Sequence, residues 1–118
     1  MHEQAIIDLA KSDPARLTSL ISSGALKGVE WTWAGEHLGL YGKSMDVVPV
    51  LLDLLEHHSP LAREGALLGL HMHHDDSRVL DAVRRHIDPA LEPSDAIRQM
   101  AIDMVMAIEL GNLDNTCT

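Results

Sequence analysis

Gly35-Glu36-His37-Leu38-Gly39-Leu40 returns 30 residues later as Gly65-Ala66-Leu67-Leu68-Gly69-Leu70. A fixed period of this length is the mark of stacked supersecondary units. Both stretches lie inside helical patterns, where a glycine costs roughly 0.8–1 kcal/mol relative to alanine. A pair of glycines four positions apart falls on one helix face. Two such pairs therefore predict that another helix comes close to the backbone on that face. The reading that follows is an all-α chain.

Helix start and stop signals partition the rest. A first helix built on Ile6, Leu9 and Ala10 ends before Asp13-Pro14, a cap followed by a proline at the first helical position. A second carries Leu17, Leu20 and Ile21 and stops at Gly24. The third runs from Gly28 to Tyr41 and closes at Gly42. Ser44 or Asp46 caps a fourth, with Pro49 expected in its first turn, where a missing N–H is tolerated. Ser59-Pro60 opens a fifth, to about Met72, after a two-residue break following His57. The sixth runs from Ser77 to near Asp88-Pro89. The seventh runs from Ser94 to Leu110, with Gly111 as its expected C-terminal residue. Helices two and three, four and five, and six and seven pair into three hairpins behind an N-terminal capping helix. The expected organisation is a single α-solenoid domain over residues 1–111 and a flexible polar tail over 112–118.

The stretch Ser59-Pro60-Leu61-Ala62-Arg63-Glu64-Gly65-Ala66-Leu67-Leu68-Gly69-Leu70 resembles the second helix of a HEAT repeat of the phycobilisome-lyase type. In that family an early arginine is followed three positions on by a small residue, then by a leucine and often a glycine. Arg63, Ala66, Leu68 and Gly69 stand in those places. In the third hairpin Arg98 and Ala101 take the Arg63 and Ala66 places, while Met100 and Met104 replace the glycines. In the first, Trp33 stands where the arginine belongs. The resemblance covers about residues 13 to 110. It implies a short right-handed solenoid of about three HEAT-like hairpins, a family of scaffolds, regulators, inhibitors and a few enzymes.

Composition narrows the class of partner. The chain has 118 residues, 46% hydrophobic but only 3% aromatic and without phenylalanine, so its core is built of Leu, Ile, Val, Ala and Met. Eighteen acidic against nine basic residues leave a net charge of −9. Bulk electrostatics therefore disfavours nucleic acid and anionic membranes and suits a basic protein partner. Met1-His2-Glu3-Gln4 does not open on a basic segment followed by an apolar one, and no apolar run reaches the ~18 residues of a membrane span. A cytoplasmic location is expected. The single cysteine, Cys117, lies in the polar tail and has no intrachain partner.

No catalytic constellation is visible. There is no Gly-x-Ser-x-Gly elbow and no phosphate-binding glycine loop, and Ser22-Ser23 has no evident base beside it. No cofactor and no enzyme activity are expected. Five of the eight histidines cluster as His57-His58 and His71-His73-His74. His71, His73, His74 and Asp75 are the metal candidates, because imidazole and carboxylate ligate transition metals. Their position at a helix C-terminus offers a plainer reading through the macrodipole. Trp31 shares a stripe with Ala34, Gly35 and Leu38 and reads as core. Trp33 has two places open to it, in a groove lined by the second helices or under the N-terminal helix. The expected partner surface is that groove, formed by Trp33, Glu36, His37, Arg63, Glu64, Arg98 and Gln99, since Trp and Arg are enriched among binding hot spots. The last helix carries one apolar stripe of Ile97, Met100, Ala101, Met104, Val105 and Ile108, and a second of Ile102, Met106 and Leu110. The second is open to homodimerisation or to cover by the tail. The reading of function is a small binding module, of inhibitor, immunity or scaffold type. A metal-binding protein and an accessory subunit of a larger enzyme are the alternatives.

Overall fold

Seven helices follow one another along the chain: α1 (Glu3–Ser12), α2 (Pro14–Ser23), α3 (Glu30–Tyr41), α4 (Ser44–Leu54), α5 (Pro60–His71), α6 (Ser77–Arg85) and α7 (Asp95–Cys117). They belong to a computed structural model that describes the backbone of residues 1–117 and the side chains of residues 1–111. Among these residues there is no strand. Where the sequence suggests one domain, the contacts divide into two units, Met1–His73 and the segment from His74 onward.

The first unit is built around the glycine repeat. Gly35 faces Gly65 and Gly39 faces Gly69, so α3 and α5 run side by side in the same direction. A methyl group on Gly65 would lie 2.7 Å from the carbonyl oxygens of Trp31 and Thr32, and one on Gly35 would lie 2.6 Å from the carbonyl oxygen of Gly65. Both distances are well inside van der Waals contact, and the atoms met are backbone, which has nowhere to move. The Thr32 hydroxyl donates to the Leu61 carbonyl at 3.0 Å and fixes the register between the two helices. Around this pair α1 packs on α3, α2 on α1 and α3, and α4 on α5 and α3. Ile6, Leu17, Leu38, Val48, Leu51, Leu55, Leu67 and Leu70 are buried there, and Trp31 is core as its stripe predicts.

Local chemistry sets the helix ends. The Asp13 carboxylate accepts from the Arg16 N–H at 3.2 Å and Pro14 opens α2. Gly24, at φ +72°, closes that helix in the left-handed conformation that a Cβ disfavours. Three expectations are corrected. Pro49 falls in the second turn of α4, because the helix begins at Ser44. Both Pro49 and Met45, the residue whose carbonyl loses its donor, are exposed, so water can satisfy the group. The break after α4 is longer than two residues. From Leu54 the chain tightens, the N–H groups of Glu56 and His57 donating to the carbonyls of Asp53 and Leu54. Gly111 does not end α7, which runs on to Cys117. Its φ is not left-handed, so the stop signal that a glycine offers there is not used.

In the second unit α6 packs against α7. Val79, Ala82 and Val83 meet the first apolar stripe of α7, of which Ile97, Ala101, Met104, Val105 and Ile108 are buried. The Asp76 carboxylate caps α6, accepting from the Arg78 N–H at 2.9 Å and pairing with the Arg78 guanidinium at 2.7 Å, which holds that guanidinium above its usual range. Arg84 pairs with Glu109 across the two helices.

Candidate functional site

The seven residues assigned from sequence to a groove divide by what their side chains do. Arg63 is buried, and its Nη1 donates to the carbonyls of His57 and His58 at 2.9 and 3.0 Å. These carbonyls belong to the loop that leads into its own helix. Arg98 repeats the arrangement in the second unit, Nη1 donating to the Glu92 carbonyl at 2.6 Å while Nη2 pairs with Asp95. In both cases the arginine reaches back six residues to hold the loop between two helices. The repeated arginine is therefore a loop staple, and neither guanidinium is offered to a groove. Trp33, Glu36 and Glu64 are half-buried. Gln99 is exposed and donates to Asp103 one turn on at 2.9 Å.

His37 is the other groove residue turned inward. Its Nε2 lies 2.8 Å from a Glu3 oxygen and 3.4 Å from a Glu36 oxygen, and its ring stacks on Tyr41. Its Nδ1 is buried with no hydrogen-bond partner. Glu3 was not singled out by the sequence, because nothing in its own neighbourhood connects the first turn of α1 to α3.

The His71–Asp75 run does not act together as a ligand set. His73 is buried, and both ring nitrogens are engaged: Nδ1 with the Ser44 hydroxyl at 2.6 Å and Nε2 with the Gly39 carbonyl at 2.8 Å. The Nε2–H donates to that carbonyl, leaving Nδ1 to accept from Ser44, so neither nitrogen has a lone pair free for a metal. His71, His74 and Asp75 are exposed. Among the described residues, the group of at least three His, Cys, Asp or Glu whose ligand atoms lie within 4.8 Å of one another is Glu3, Glu36 and His37.

His73 instead organises one end of the first unit. Its two bonds gather the C-terminus of α3, the N-terminus of α4 and the C-terminus of α5. Leu40, Tyr41, Met45 and Met72 flank these anchor points and are all exposed, Met45 to 80%. The Lys11 ammonium sits 4.9 Å from the centre of the Tyr41 ring and ties α1 to the same end. In the second unit Met106 and Leu110 of the second α7 stripe are exposed and Ile102 is half-buried.

A cavity of about 360 Å³ between α2 and α4 is lined by Ile21, Ser22, Val50, Asp53, Leu54 and His57. His57 is not free to serve Ser22 as a base through Nδ1, which accepts from the Ser59 N–H at 3.0 Å. Its ring lies 4.4 Å from Trp31 and 4.2 Å from His58. Burial first, then the neighbouring charges of His58 and Arg63, hold the His57 imidazole below the usual histidine range. His86 and Glu92, two further buried polar side chains, pair at 3.2 Å in the α6–α7 turn. Comparison with family models, with curated proteins and with solved structures finds no match to this chain. Among the described residues, no helix is long and apolar enough to cross a membrane.

Proposed function

We propose that the chain is a non-catalytic protein-binding module, a short right-handed α-solenoid of HEAT-like hairpins that works in the cytoplasm by occluding a basic protein partner. The observation that carries this reading is the exposed apolar end formed by Leu40, Tyr41, Met45 and Met72 around the buried His73. A cluster of large apolar side chains on an otherwise charged surface marks an interaction site, and methionine adapts its shape to what it meets. The half-buried Trp33, Glu36 and Glu64 extend the surface along α3 and α5. A net charge of −9 selects a basic partner and speeds encounter with it.

Photo-crosslinking in the native host tests this reading. A photoreactive residue at Met45 or Met72 should capture one protein that the same residue at Arg16, exposed on α2, does not. The Met45→Asp substitution should weaken binding to the captured protein at least tenfold. Equal capture from all three positions, or none, overturns the assignment.

A further inference from the structure

We propose that Glu3, Glu36 and His37 form a site for a divalent transition metal of the zinc class, which fastens the first turn of α1 to α3. Two carboxylates and one imidazole nitrogen converge there, one ligand atom from each lying within 4.8 Å of the others. Among the described residues neither carboxylate has a lysine or arginine within ion-pair distance; each faces only His37. The helix dipole favours an acid in the first turn of α1. It does not explain why that acid and Glu36 aim at the same ring nitrogen.

The state of the ring is the second observation. The His37 side chain is only 9% exposed, its Nε2 points into the carboxylate pair, and its Nδ1 meets no partner at all. His73 shows what a structural histidine looks like in this chain, with both nitrogens bonded. His37 differs. Protonating the ring and seating a dication on Nε2 both leave a proton on the buried Nδ1, so the orphan nitrogen does not separate the two states. Charge does: an imidazolium offsets one of the two carboxylates, whereas a dication that displaces the Nε2 proton offsets both.

The spacing suits such an ion. Zinc held by nitrogen and oxygen donors at about 2.0–2.2 Å sets neighbouring donors roughly 3.3–3.5 Å apart in a tetrahedron. The 3.4 Å between Nε2 and Glu36 already has that value. The 2.8 Å to Glu3 has to open by about half an ångström. Glu3, nearly half exposed at the end of a helix, is free to give it. Three protein donors leave a fourth position for water. The imidazole and carboxylate donor set favours zinc over calcium or magnesium, which take oxygen ligands.

The test uses the full chain without an affinity tag, stripped with a chelator and titrated with zinc alone under calorimetry and native mass spectrometry. The expected result is one zinc per chain and a melting temperature raised by roughly 5–10 °C at a hundredfold excess over Kd. Glu3→Gln and Glu36→Gln should each weaken binding more than tenfold, whereas His71→Ala with His74→Ala leaves it unchanged. Glu3 is on an exposed first turn, so its variant reports on the site even if a His37 variant fails to fold. Absence of stoichiometric binding, or binding that survives Glu3→Gln and vanishes with the His71 and His74 pair, overturns the proposal.

Discussion

A single methyl group separates two kinds of glycine in this chain. At Gly35 and Gly65 the space a Cβ needs is filled by the backbone of the opposite helix, whereas at Gly111, also helical, nothing lies within 4 Å. Alanine gains up to about 1 kcal/mol over glycine from helix propensity, but forced overpacking costs about 1–3 kcal/mol or more. Gly35→Ala and Gly65→Ala should therefore lower unfolding stability by roughly 2 kcal/mol or more, and Gly111→Ala should raise it by as much as ~1 kcal/mol. Urea denaturation of the three variants reads the opposite signs directly. The arginines follow similar logic. Arg63→Ala removes a buried guanidinium from two loop carbonyls and should cost about 3 kcal/mol, while Arg98→Ala, with one loop carbonyl and an exposed Asp95 partner, should cost about half of that.

At the scale of the element, the loop between α4 and α5 carries a pH dependence. The His57 imidazole is held below its ordinary value of 6.5 by burial and by the charges of His58 and Arg63. The unfolded chain therefore takes up the proton first, and this contribution to stability is complete above the ordinary value. It falls as pH is lowered through that value toward the folded one. Unfolding measured between pH 7.5 and 5 should show a shallower loss for His57→Gln than for the parent chain; identical slopes would remove His57 as the cause. Most elements were legible because their signals are local: Asp13-Pro14, Gly24 and Ser59-Pro60 mark ends without help from tertiary structure. The errors came where a signal was present but unused. Gly111 could have stopped α7 yet takes a helical conformation, and α4 starts at Ser44 behind Lys43, which offers no side-chain cap, two residues before the Asp46 whose capping would have put Pro49 in the first turn.

For the whole molecule, the site was less legible than the helices because it depends on residues far apart in sequence. The arginine column was visible, but only a structure shows Arg63 and Arg98 turning back onto the loops before them. Glu3 and His37 are 34 positions apart, and Ser44 and His73 are 29 apart; neither pairing leaves a trace in local pattern. Charge, by contrast, is a property of the entire chain. At −9, association with a basic partner should slow and weaken as ionic strength rises past about 0.15 M, where charges more than about 8 Å apart are screened, and a salt-independent on-rate would argue for apolar contact alone. The account rests most heavily on α3 and α5 lying backbone to backbone in parallel register. Nuclear Overhauser contacts between glycine α-protons in solution test this directly. Cross-peaks joining Gly35 to Gly65 and Gly39 to Gly69 are predicted; their absence, or peaks pairing Gly35 with Gly69 as an antiparallel register requires, would contradict it.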